Sequence, residues 1–278
     1  MTSENQKNKA AQFREMHNGP SILVLPNAWD VASARIFEQA GFKAVATTSS
    51  GVAAALGYPD GQRISREMLV KVVANIARVV ECPITADIEA GFGNTIEERL
   101  ETVKAVIDAG AAGINIEDST KGQVESLVDT SFQVELLKAI RELALSMDVP
   151  LVINARIDVF LLKIGDPVTR FEEAVRRGNA SRQSGADCLF PITLSDAPTI
   201  AKLVQAINAP VNILAGPMTP TIPELAQLGV ARVSFGSGMM RATLARLRHI
   251  AHELLEKSTY TTMVEESLSG AELRSLVE

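Results

Sequence analysis

One phrase recurs along this chain: a helix ends on a glycine, a link of two residues follows, and an apolar strand begins. Ala40-Gly41 leads into Ala44–Thr48, Ala109-Gly110 into Gly113–Ile116, Ser184-Gly185 into Cys188–Ile192 and Leu228-Gly229 into Arg232–Phe235. A repeated helix–glycine–strand unit constrains the fold because no unit buries its strand alone, so the copies must stack. Ser21–Leu25, Ile84–Ile88, Leu151–Ala155 and Val211–Leu214 complete a set of eight strands, each followed by a helix. Runs such as Leu151-Val152-Ile153 are apolar on both faces, as parallel strands covered on two sides are. Eight such units predict an α/β fold, a closed (β/α)8 TIM barrel over about residues 20–256. An open doubly wound sheet is the alternative, but no G-x-G-x-x-G follows the first strand.

Asn8–His17 reads as an extra N-terminal helix, and residues 257–278 form a tail with a capping box at Ser269 and Glu272 before a short helix, Ala271–Val277. No linker rich in Pro, Gly or Ser divides the chain, so one domain over 1–278 is expected. A net charge of −6 argues against nucleic acid or an anionic membrane as partner, since both need a basic face. Neither a secretory signal nor a membrane-length apolar run occurs. With only Cys82 and Cys188, a cytoplasmic chain without disulfides is expected.

In a barrel the chemistry lies at the carboxyl ends of the strands. Asp87 and Glu89, two apart at the end of the third strand, would place two carboxylates on one face. Like charges that close call for a cation, and Mg2+ takes oxygen ligands of this kind. Gly91 and Gly93 would let the backbone turn beside a ligand. The fourth strand ends in Glu117-Asp118 and the fifth in Asn154-Ala155-Arg156-Ile157-Asp158. Arg156 could grip an anionic group beside the metal; a surface salt bridge with Asp158 is the competing arrangement. His249 and His252 read as an exposed helix face, Lys121 as a loop lysine, and Trp29-Asp30 as packing and a helix cap.

The ordered set Leu56-Gly57-x-Pro59-Asp60, Asp87-x-Glu89-x-Gly91-x-Gly93, Ile116-Glu117-Asp118 and Ala155-Arg156-x-Asp158 resembles the isocitrate lyase and phosphoenolpyruvate mutase superfamily, across roughly Leu25–Arg241. The resemblance implies an Mg2+-dependent barrel, with Mn2+ as an alternative ion, that makes or breaks C–C or P–C bonds beside an α-oxo acid through an enolate-like species. It implies Asp87 as principal metal ligand, with Glu89 and Glu117 binding directly or through water. Arg156 would bind a substrate carboxylate or the enolate. Thr48, Ser49 and Ser50 would supply hydroxyl and N–H donors, and Asp60 would reach toward the reacting centre or the metal's water shell. It also implies a homodimer or homotetramer that exchanges the eighth helix.

Three departures stand out. Glu89 stands where the family more often has Asp, and Thr48-Ser49 where it has Ser-Gly. The lyases' K-[KR]-C-G-H loop reads Ser119-Thr120-Lys121-Gly122-Gln123-Val124-Glu125, without Cys or His, and only Lys121 matches the Lys and Asn of the mutases and phosphonopyruvate hydrolases. The expected function is C–C cleavage of a small α-oxo or α-hydroxy (di)carboxylate, as in oxaloacetate decarboxylation. P–C chemistry is the alternative, and a barrel that binds oxo acids without turnover is the third.

Overall fold

The computed structural model describes residues 4–120 and 126–278. The ladders between strands are all parallel. β2 (Asn27–Ala28), β3 (Val45–Thr47), β4 (Ile84–Asp87), β5 (Gly113–Glu117), β6 (Val152–Ile157) and β7 (Cys188–Pro191) pair in chain order. β8 (Asn212–Leu214), β9 (Arg232–Ser234) and β1 (Leu23–Leu25) form a second run. A parallel bridge from Leu189 to Val211 joins the two runs on one side. On the other, β1 continues into β2 past Pro26, whose ring has no N–H for a ladder. Counting β1 and β2 as one strand, the ring closes as the expected (β/α)8 barrel.

Outer helices follow from one apolar stripe each. α4 (Arg66–Val79), capped by Ser65, buries Leu69, Val73 and Ile76, and α5 (Ile96–Asp108), with a Thr95–Glu98 capping box, buries Val103, Val106 and Ile107. α6 (Thr130–Ser146), α7 (Pro167–Gln183), α8 (Ala197–Ala206) and α9 (Ile222–Gln227) complete the jacket after α2 (Val31–Gln39). Two helices depart from the sequence reading. α3 (Ser49–Ala55), directly after β3, is outside the eight strand–helix units of the sequence; its alanines favour helix and Val52 and Ala53 find burial. α11 (Thr261–Glu265) follows a turn in which the Glu253 carboxylate accepts the N–H groups of Thr261 and Thr262 and the Thr259 hydroxyl.

The extra N-terminal helix, α1 (Glu4–Met16), lies across the amino end of the barrel. Phe13 is fully buried, its ring so close to Gly113 that a Cβ there would stand 2.9 Å away. Gln6 donates to the carbonyls of Ile107 and Ala111, and Arg14 to that of Leu151. At the carboxyl side, α10 (Gly238–Lys257) buries only Met240 and Glu253 and leaves Leu244, Leu247, Leu254 and Leu255 exposed. α12 (Gly270–Ser275) ends the tail with the expected Ser269–Glu272 capping box.

His17, just beyond α1, lies 2.7 Å from the Phe13 carbonyl through Nδ1. A carbonyl only accepts, so Nδ1 carries the proton and Nε2 faces Arg232 at 3.4 Å as an acceptor. Burial and then the Arg232 charge push the imidazole down to about 3 from its ordinary 6.5. The unfolded chain therefore binds a proton that the fold refuses, and the stability that neutral His17 supports is lost as pH falls from 6.5 toward 3. Between pH 6.5 and 5 the wild-type chain should lose about 2 kcal/mol relative to His17→Gln, at roughly 1.4 kcal/mol per unit. Denaturant titrations of both proteins would contradict this if their stabilities fell in parallel.

Candidate active site

A cavity of about 240 Å3 opens at the carboxyl ends of the strands. Thr48, Ser49, Ser50, Asp60, Asp87 and Arg156 line it, so the structure brings these predicted residues together. Deeper in the barrel its wall is Thr85, Asn115, Asn154, Asn212, Arg232 and Ser234.

Asp87 ends β4, where Ser49 N–H donates to Oδ2 at 3.0 Å and Asn115 Nδ2 to Oδ1 at 2.9 Å. Asn154 Nδ2 in turn donates to Asn115 Oδ1 at 2.8 Å, so a row of amides from neighbouring strands aims at one carboxylate. These donors are neutral, and among the described residues no cation forms an ion pair with it, although Arg156 and Arg232 are near enough to act on its charge. One expectation needs correction here: the N–H groups of Ser49 and Thr48 are committed to Asp87 and to the Ala28 carbonyl, which leaves the hydroxyls and Ser50 to face a ligand.

The paired placement of Asp87 and Glu89 on one strand face does not hold. β4 stops at Asp87, and Glu89 has φ +50°, so strand alternation no longer aims its side chain. Its buried carboxylate accepts Gln62 N–H at 3.0 and 2.9 Å, while Phe92 N–H donates to Gln62 Oε1. Gln62 and Phe92 are also left-handed, at φ +57° and +56°, so strain gathers at this one clasp. Burial, followed by the charges of Asp87, Asp60 and Glu117, pushes the Glu89 carboxyl up to about 8. Nor do the glycines make room for a ligand: a Cβ on Gly93 would stand 2.4 Å from Glu98 Cβ, and one on Gly91 2.9 Å from Arg99 Cγ. They let α5 approach.

Arg156 forms the competing pair with Asp158, but buried rather than at the surface. Nε and NH2 donate to the two Asp158 oxygens at 2.6 and 3.0 Å, and NH1 lies 2.6 Å from Glu117 Oε2. Burial opposes its charge, yet Glu117 and Asp158 outweigh that and raise its pKa. Behind them, burial pushes Asp118 up to about 6, although Asp158 N–H and Arg177 donate to it.

Among the described residues, no three His, Cys, Asp or Glu converge as a metal cage. Mg2+ requires less, one or two carboxylates with water in the remaining positions. Of the predicted ligands Asp87 lines the cavity wall, where its carboxylate fits a divalent cation; Glu89 is buried on Gln62 outside that lining, with burial and then its acidic neighbours raising its pKa, and Glu117 stands one layer back on Arg156. Lys121 lies outside the described residues. His252 pairs with Glu256 on the exposed face of α10, away from this cavity. Asn115, Asn212 and Arg232 stand outside the sequence reading of the site, which includes Asn154 in the end of the fifth strand. Their signal is polar residues inside otherwise apolar strands, as in Gly113-Ile114-Asn115-Ile116-Glu117.

A family profile for phosphoenolpyruvate phosphomutase matches residues 13–255. An uncharacterized protein of Mycobacterium tuberculosis is 36% identical over 240 residues, which cover 86% of this chain and 87% of that one. A 2-methylisocitrate lyase of Aeropyrum pernix is 28% identical over 277 residues, covering 95% and 86%. Among solved structures, a candidate lyase/mutase of Burkholderia cenocepacia superposes with a TM-score of 0.89 at 32% identity, over 98% of this chain and 96% of that one. The profile takes in every strand of the barrel and each of the residues lining its mouth, and the chain belongs to the phosphoenolpyruvate mutase/isocitrate lyase superfamily.

Proposed function

We propose that this protein is an Mg2+-dependent carbon–carbon lyase acting on a small α-oxo or α-hydroxy dicarboxylate, with decarboxylation of an oxaloacetate-like acid as the reaction. The observation that carries this reading is Asp87, fixed by neutral donors on the wall of a cavity whose volume of about 240 Å3 suits a small acid. Asp87 would hold the ion, with Glu89 and Glu117 acting through water. When bound, Mg2+ supplies Lewis-acid polarisation of an oxo oxygen.

The remaining work falls to side chains. Arg156 keeps N–H groups beyond those used by Glu117 and Asp158, and these would steady negative charge developing on the substrate. Thr48, Ser49 and Ser50 would orient its carboxylate through their hydroxyls, and Asp60 would position water at the mouth. Lys121 is the candidate to deliver a proton to the enolate carbon. P–C chemistry is the second reading, supported by the family profile and by Lys121. A barrel that binds without turnover is the third.

Although a relative is named 2-methylisocitrate lyase, cleavage of such tricarboxylates does not suit this chain. The loop after Asp118 has no cysteine, and burial pushes the thiols of Cys82 and Cys188 up to about 12. Losing a general acid of that kind costs about 100- to 10,000-fold in rate. Assembly is proposed from α10, whose exposed leucines suit exchange with a second copy.

With Mg2+, oxaloacetate should yield pyruvate and CO2. Asp87→Ala should abolish both turnover and calorimetric Mg2+ binding, and Glu117→Gln should weaken binding less. Equal Mg2+ binding by Asp87→Ala and the unmutated chain would place the site elsewhere, and phosphate release from phosphonopyruvate without oxaloacetate turnover would favour P–C chemistry. Isocitrate and methylisocitrate should be cleaved negligibly at saturating Mg2+; brisk release of glyoxylate or pyruvate from them would show that another group replaces the cysteine. Sedimentation at micromolar concentration should show a dimer or tetramer, and a monomer would count against helix exchange.

A further inference from the structure

Two guanidinium groups line the cavity, and they differ in what meets them. Arg156 faces Glu117 and Asp158, whereas Arg232 has no carboxylate in ion-pair range among the described residues. Arg232 is only 2% exposed. Its contacts are the Phe13 ring, 6.0 Å from Cζ, and His17 Nε2, and its Nε has no hydrogen-bond partner. Cys188, whose thiol is neutral at ordinary pH, and Asp87 are near enough to act on it electrostatically, but neither forms an ion pair with it.

Thr85 Oγ1, Asn154 Oδ1 and Asn212 Oδ1, on the wall of the same cavity, are also buried without partners. Native interiors leave few polar atoms unsatisfied, so this concentration marks space that a polar group occupies. Water would satisfy the amides, but it leaves the buried charge of Arg232 without a direct ion pair, answered only at a distance by Asp87. Asn212 Nδ2 lies 3.1 Å from Ser234 Oγ. A hydroxyl donates as well as accepts, so the Asn212 amide meets Ser234 in either orientation, and when turned it presents N–H groups to the cavity.

We propose that Arg232, with Asn212 and Ser234, forms an anion subsite at the cavity floor that takes the distal carboxylate of a dicarboxylate whose α-oxo or α-hydroxy end lies at Asp87. This rests on the functional reading above and specifies it: the second carboxylate is bound deep in the barrel by Arg232, and Arg156 serves the reacting end. The bidentate fork of a guanidinium suits a carboxylate in a way that a lysine does not.

The test uses the full chain loaded with Mg2+ and calorimetry with three probes: malate, its 4-monoamide and pyruvate. The unmutated protein should bind malate about 10- to 100-fold more tightly than the monoamide, the range for a hydrogen bond to a charged group. Arg232→Met should bring that preference to within roughly threefold while changing pyruvate affinity by no more than that, and Arg232→Lys should fall between. The subsite is overturned if acid and amide bind the unmutated protein alike, or if the preference survives Arg232→Met. Should Arg232→Met fail to fold, Arg232→Lys and the comparison of ligands on the unmutated chain still decide. Mg2+-dependent pyruvate binding with no preference between acid and amide removes the subsite alone. Absence of Mg2+-dependent binding for all three removes the functional reading and the subsite together.

Discussion

Carboxylates buried side by side repel one another, and the carboxyl rim of this barrel is arranged around that repulsion. Arg156 lies between Glu117 and Asp158 and answers both charges, while Arg177 does the same for Asp118 from α7. Asp87 receives only neutral donors, and burial followed by the neighbouring acids raises the pKa of Glu89. A buried ion pair stabilises little in itself, because desolvation offsets much of its attraction, but removing one partner strands the other. Arg156 therefore cannot be treated as a free substrate clamp. Its loss would expose Glu117 and Asp158 to each other before any substrate is considered.

The parts legible in the sequence are those governed by local rules. Glycine after four of the helices and an apolar run after each of those glycines identify the barrel units, and capping residues such as Thr95 with Glu98 mark helix starts where the chain places them. The cluster of acids at the rim was legible because the barrel sends strand ends to one face. What was not legible depends on neighbours distant in sequence. Glu89 leaves strand geometry because Gln62, from another loop, holds its carboxylate. Gly91 and Gly93 serve packing against α5. Arg232 reads as an ordinary charge at a strand start until α1 closes the barrel beneath it.

That closure links the two ends of the molecule. α1 seals the amino end with Phe13 and His17, and the guanidinium of Arg232 reaches from β9 to this plug while lining the cavity above. A barrel interior is ordinarily filled by branched aliphatic residues. Here Asn115, Asn154 and Asn212 replace some of them, which keeps the interior polar from the metal candidate down to the floor. Asp87 stands at the top of that polar column, and its environment is intelligible if a cation joins it.

Anomalous diffraction from crystals of the full chain grown with Mn2+ tests this most directly. The account predicts one peak at the barrel mouth about 2.2 Å from an Asp87 oxygen, the distance of a directly coordinated hard cation, with Glu89 and Glu117 reaching it through water. A peak held by other residues, or none at the mouth under Mn2+ saturation, would contradict it.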